Sequence, residues 1–192
     1  MDSALKPALA GMVFNAAFAI YHLVSGFFTE SWWLLTLGAY YLILSIVRFA
    51  VLSFKSRERF ITGFTGWMLM ILAVTLAGTV ILSVTEDRGH HLHMIIMIAM
   101  AAYAFTKITL ATINLIKTRR STSAPVLAIR SISFSEAFAS IFALQRSMLV
   151  SFEGMSEGEI IIMNAVFGSA VCVVVFLLGL KLVTSKNIYE GK

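Results

Sequence analysis

The chain is poor in almost everything a soluble domain uses to fold and react in water. Its 192 residues hold one cysteine and two prolines, and only 13% of them are charged. The lone Cys172 sits inside an apolar run, which excludes an intrachain disulfide and a thiolate metal cluster. Pro7 and Pro125 lie near the starts of apolar runs, where a missing backbone N–H is tolerated, so neither breaks a span. Phosphate-binding glycine loops, histidine pairs at metalloprotease spacing, and a serine, histidine and acid at one depth are all missing. The chain is therefore not expected to be an enzyme, and no cofactor is expected.

What remains is hydrophobic: 59% of the residues, with a mean hydropathy of +0.88. The apolar runs cover roughly 8–28, 31–51, 60–84, 93–115, 126–152 and 160–183. A bilayer core of about 30 Å needs about 20 helical residues, and backbone in lipid must satisfy its own hydrogen bonds. The runs stay apolar on consecutive residues, which excludes the alternation of a membrane barrel. The expectation is an all-α, polytopic protein of the cell membrane, residues 1–192 forming one transmembrane domain of six helices. The first run continues past the small triplet Ala17-Phe18-Ala19 and carries Asn15, so it is read as a span, not a cleaved signal.

Charge in the connections predicts orientation. Lys55, Arg57 and Arg59, with Arg48 just inside the span, follow the second run, and Lys117, Arg119 and Arg120 follow the fourth. Basic residues gather on the cytoplasmic side, which places both termini there, consistent with Lys6, Lys181, Lys186 and Lys192. Trp32 and Trp33 are expected in an outer aromatic belt. The net charge of +5 sits between apolar runs, where it meets lipid headgroups and not nucleic acid. The bilayer is the one partner the composition implies; a homo-oligomer and an ion or small-molecule substrate stay open. The halves also share a weak echo, AAFAIYH at 16–22 and AAYAFTK at 101–107, which suggests an inverted repeat of three plus three helices.

Ionisable residues inside spans are costly and mark function or architecture. Counting about 1.5 Å per residue from the run centres puts Lys107 in the fourth span and Glu136 in the fifth both about 5 Å toward the cytoplasm. They are expected to pair. Asn15 falls at similar depth, Tyr40 and Tyr41 lie near the centre, and His22 lies about one turn outward, so that Asn15, His22, Tyr40, Lys107 and Glu136 form a candidate polar core. Ser133-Phe134-Ser135-Glu136 also fits a capping box, which would start the helix at Ser133 and move Glu136 to the interface. The earlier start signal at Ser123 and Pro125, and the small row Ser131, Ser135, Ala139 and Ala143, favour the longer helix. His90, His91 and His93 beside Glu86 and Asp87 read as a solvated outer loop; whether they bind metal stays open, and no metal site is assigned. Gln145 and Arg146 are expected to anchor at the outer interface.

SWWLLTLGAYYLILSIVRF at 31–49 and RSISFSEAFASI at 130–141 resemble the second and fifth spans of the membrane domain of cation diffusion facilitators. The likeness covers about half of the chain. It implies six helices with cytoplasmic termini and metal ligands at positions that fall here on Tyr40, Leu44, Ile132 and Glu136. Tyrosine, leucine and isoleucine cannot build that tetrahedral site, and little sequence follows the sixth run to form the family's cytoplasmic metal-sensing domain. The chain also looks like small uncharacterised six-span bacterial membrane proteins, which implies no activity. Two functions follow from the residues: a small secondary carrier or ion-translocating protein built on the Lys107 and Glu136 pair, or a non-transporting membrane component that binds another membrane protein or organises lipid.

Overall fold

A computed structural model describes residues 2–54, 57–85, 94–118, 123–151 and 155–188, and the histidine-rich segment 86–93 lies outside them. The described residues form six α-helices and no strand: α1 (Asp2–Phe28), α2 (Trp32–Ser53), α3 (Glu58–Thr85), α4 (Met94–Thr118), α5 (Ala124–Ser151) and α6 (Glu157–Ile188). All but α4 contain a described stretch long and apolar enough to cross a bilayer. Helix starts follow local chemistry. Ser31 caps α2 by accepting the Leu34 N–H at 3.5 Å, after a tight connection in which Glu30 takes a positive φ of 53°. Ser156 and Glu159 form a reciprocal capping box at α6: the Ser156 N–H donates to Glu159 Oε2 at 2.9 Å, and the Glu159 N–H donates to Ser156 Oγ at 3.4 Å.

Within the helices, several buried hydroxyls donate to the preceding turn. Thr62 bonds the Glu58 carbonyl at 3.0 Å, Thr79 that of Thr75 at 3.1 Å and Ser147 that of Ala143 at 2.9 Å. Large apolar side chains point both ways. Leu37, Leu44, Leu69, Leu72, Leu76, Ile132 and Phe142 are buried, whereas Phe28, Trp67, Val74, Ile162 and Val166 are exposed along the outer faces. An exterior this apolar suits lipid and not water.

Helix α5 is the axis of the bundle, packing against α2, α3, α4 and α6. Its small residues permit this: Ala128, Ser135, Ala139 and Ala143 are all buried. Neighbours run antiparallel. In α1 and α2 a Cβ on Gly38 would lie 2.8 Å from Leu23 Cγ, and one on Gly26 would lie 2.9 Å from the Leu35 nitrogen. A further close crossing joins α3 to α6, where a Cβ on Gly66 would fall 2.9 Å from the Gly179 carbonyl and one on Gly179 would fall 2.8 Å from the Gly66 carbonyl. Higher in the same seam Gly168 faces Val80 and Phe142.

At Gly179 the nearest obstacle is the Gly66 carbonyl, a backbone atom that cannot swing aside as a side chain can. Gly179→Val is expected to lower stability by about 1–3 kcal/mol. Gly78→Ala, on the same pair of helices with nothing within 4 Å of the added Cβ, should be neutral or slightly stabilising. Unfolding midpoints of the two variants in detergent check the contrast.

Candidate functional site

Four helices each send one polar side chain to a single buried point. Glu136 comes from the middle of α5, the helix that begins at Ala124 and not at Ser133, and its side chain is 2% exposed. Both of its oxygens are engaged. Arg48 of α2 donates from Nη2 to Oε1 at 2.9 Å, and Lys107 of α4 donates from Nζ to Oε2 at 3.0 Å. Asn15 of α1 closes the ring: its Nδ2 donates to Glu136 Oε1, and its Oδ1 accepts from Lys107 Nζ at 2.7 Å. The electrostatics fix this amide orientation, since a flip would set oxygen against carboxylate and NH2 against ammonium. Arg48 Nη2 also donates to Ser133 Oγ at 3.1 Å, one turn before Glu136 on α5.

The surrounding side chains set the register. Tyr40 of α2 donates to the Ser135 carbonyl at 3.1 Å. Ser140 spends its proton on the Glu136 carbonyl at 2.7 Å, so the Tyr41 hydroxyl donates to Ser140 Oγ at 3.1 Å. All of these groups are buried. Two tyrosines and Arg48 thus lock α2 onto α5 over more than two turns, antiparallel.

On the other side of Asn15 stands a set of rings. Phe18 of α1 stacks on Tyr103 of α4 with centroids 3.8 Å apart, and Lys107 Nζ lies 5.2 Å from the centre of the Tyr103 ring. His22 is buried but does not join the four: its Nδ1–H donates to the Phe18 carbonyl at 2.8 Å, and its ring rests on Phe18 and Tyr41. Of the five residues singled out in the sequence, Asn15, Lys107 and Glu136 meet directly, Tyr40 bonds the neighbouring backbone, and His22 bonds the Phe18 carbonyl instead.

Arg48 was read from the sequence as the edge of a basic loop, yet it is 3% exposed and binds the carboxylate. A signal was present: the apolar run continues past Arg48 through Phe49, Ala50, Val51 and Leu52. Its place depends on Gly11, where a Cβ would stand 1.6 Å from Arg48 Nη1. Two other expectations also change. Trp33 is 7% exposed and packs inward, while Trp32 faces out at 66%. Arg146 is buried instead of snorkelling, with its guanidinium 4.6 Å from the Trp33 ring centre. Successive residues point about 100° apart on a helix, so sharing a depth does not mean sharing a face.

Chemically, the cluster is a carboxylate shared by a guanidinium and an ammonium and oriented by an amide. Among the described residues no group of three or more His, Cys, Asp or Glu side chains is placed to hold a metal ion. Removing the shared acid strands two cations, so Glu136→Gln is expected to cost about 3–5 kcal/mol. Lys107→Met leaves a neutral Arg48 and Glu136 pair and should cost distinctly less. Unfolding of both variants in detergent measures the difference, and equal losses would contradict the shared-carboxylate geometry. Comparisons with protein-family models, with curated proteins and with solved structures find no match for this chain.

Proposed function

We propose that the chain is an integral protein of the cell membrane that crosses it six times, with both termini in the cytoplasm, and works as a small secondary carrier or ion-translocating protein. One observation carries this reading: the charge cluster straddles the two halves of the chain. Asn15 and Arg48 come from α1 and α2, Lys107 and Glu136 from α4 and α5.

The packing supports an inverted repeat. Each helix of the first three touches its counterpart in the second three and runs antiparallel to it: α1 meets α4 at Phe18 and Tyr103, α2 meets α5 at Tyr41 and Ser140, and α3 meets α6 at Gly66 and Gly179. Phe18 and Tyr103 are also equivalent positions in the two similar segments, 16–22 and 101–107. That is the relation expected around a two-fold axis in the membrane plane, with a site at the repeat interface near mid-membrane. In such a carrier Glu136 trades partners: cargo or proton arrival at the cluster weakens one ion pair and strengthens the other, and the halves rock about the shared centre.

The likeness to cation diffusion facilitators fits the six-helix arrangement but not a metal cargo. Both oxygens of Glu136 already face cations, and Tyr40, Leu44 and Ile132 supply no metal ligands of that site. A second reading has its own support. With its carboxylate fully engaged, the cluster would also serve as a static clamp in a membrane component that binds a protein partner or organises lipid.

Flux in proteoliposomes separates the two readings. Under an imposed proton gradient and a panel of monovalent and divalent ions, the wild type should move at least one species, and folded Glu136→Gln should fall to the level of protein-free vesicles. Folded protein that moves nothing across the panel favours the clamp.

A further inference from the structure

Three side chains hold Glu136, and not in the same way. Oε1 accepts from Arg48 Nη2 at 2.9 Å and from Asn15 Nδ2, whereas Oε2 accepts from Lys107 Nζ at 3.0 Å. The two cations also differ chemically. A guanidinium stays protonated in proteins, but a buried lysine can release its proton.

Charge counting picks the group that changes state. With every member ionised, the cluster holds two cations and one carboxylate. Protonating Glu136 would leave Arg48 and Lys107 facing a neutral acid, both uncompensated. Deprotonating Lys107 instead leaves the Arg48 and Glu136 ion pair, neutral in sum and still supported by Asn15. Hydrogen bonding allows this change. Among the described residues Lys107 Nζ has two acceptors, Asn15 Oδ1 at 2.7 Å and Glu136 Oε2 at 3.0 Å, and a neutral amine has two N–H donors to give them. Lys107 is also the least buried of the three charged side chains, 8% exposed against 3% for Arg48 and 2% for Glu136. The other titratable groups nearby are Tyr40 and Tyr41 on α2, His22 on α1 and Tyr103 on α4. Tyr40 and Tyr41 donate to α5 and His22 donates to the Phe18 carbonyl, so their protons are already placed. The buried Tyr103 hydroxyl has no described partner to take its proton.

We propose that Lys107 is the residue at which the cluster takes up and releases a proton, so that H+ is the ion this site handles. On release the proton passes from the ammonium to water, the nitrogen keeps the electron pair, and Glu136 stays a carboxylate; uptake is the reverse. The charge-assisted bonds from Lys107 to Asn15 and Glu136 then become ordinary amine bonds. That loosens α4 against α1 and α5, while Arg48 keeps α2 fixed on α5. The part this plays in transport rests on the carrier reading; the proton exchange itself does not.

The test is solid-state NMR on full-length protein in lipid bilayers, labelled at lysine Nζ and glutamate Cδ, across the pH range in which the protein stays folded. Lys107 is distinguished from the other lysines by its dipolar contact with Glu136 Cδ. Its nitrogen should pass reversibly between ammonium and amine while the Glu136 carbon keeps the shift of a carboxylate. In proteoliposomes Lys107→Arg, which keeps the positive charge but cannot release it, should reduce proton-driven flux to the level of protein-free vesicles. A Lys107 nitrogen that stays ammonium throughout, or a Glu136 carbon that titrates in its place, overturns the proposal, and the wild-type spectra decide this even if the variant fails to fold. Proton exchange at Lys107 without flux of any ion would uphold the proton site and refute the carrier; ion flux unchanged in folded Lys107→Arg would do the reverse.

Discussion

A carboxylate in the middle of an apolar helix bundle must be neutralised or compensated, and most of this structure follows from how Glu136 is compensated. Taking one ionised group out of water costs several kcal/mol even after relaxation. No single neighbour on α5 meets that cost. The answer here is tertiary, with a guanidinium from α2, an ammonium from α4 and an amide from α1 brought to one point. Because the three side chains have fixed lengths, their meeting sets the rotation and height of three helices relative to a fourth.

That constraint matters more in lipid than in water. Apolar faces of membrane helices exchange lipid contacts for helix contacts at little net gain, so hydrophobicity alone does not choose among packings. Here two devices make the choice. At α3 and α6 it is shape, since Gly66 and Gly179 admit each other's backbone and nothing bulkier. At α1, α2, α4 and α5 it is charge and hydrogen bonding, reinforced by Tyr40 and Tyr41 on the carbonyls and hydroxyl around Glu136. The glycine seam is backbone-close, whereas the charge-based centre ties α1 and α2 to α4 and α5.

The sequence made depth legible and left azimuth hidden. Counting residues from the centres of the apolar runs put Asn15, Lys107 and Glu136 at one level, and the structure has them in direct contact. The same counting put His22 only a turn away, but its Nδ1–H is spent on the Phe18 carbonyl and its ring packs on Phe18 and Tyr41. Arg48 was hidden because its basic neighbours, Lys55, Arg57 and Arg59, made it look like part of their loop, although apolar residues follow it for another turn. Trp32 and Trp33 are adjacent in sequence, yet one faces outward and the other lies under Arg146. Helix existence needs only composition and length. Which face turns inward depends on partners far away in the chain, and a nearly uniform apolar surface carries little periodic signal for it.

The shared carboxylate is most directly tested by solid-state NMR on protein labelled at lysine and arginine side-chain nitrogens and at the glutamate Cδ, in lipid bilayers. The geometry predicts dipolar contacts from Lys107 Nζ and from an Arg48 guanidinium nitrogen to the same Glu136 carboxyl carbon, both lost in Glu136→Gln. A spectrum in which either contact is missing while the protein is folded would contradict the four-helix cluster on which this account depends.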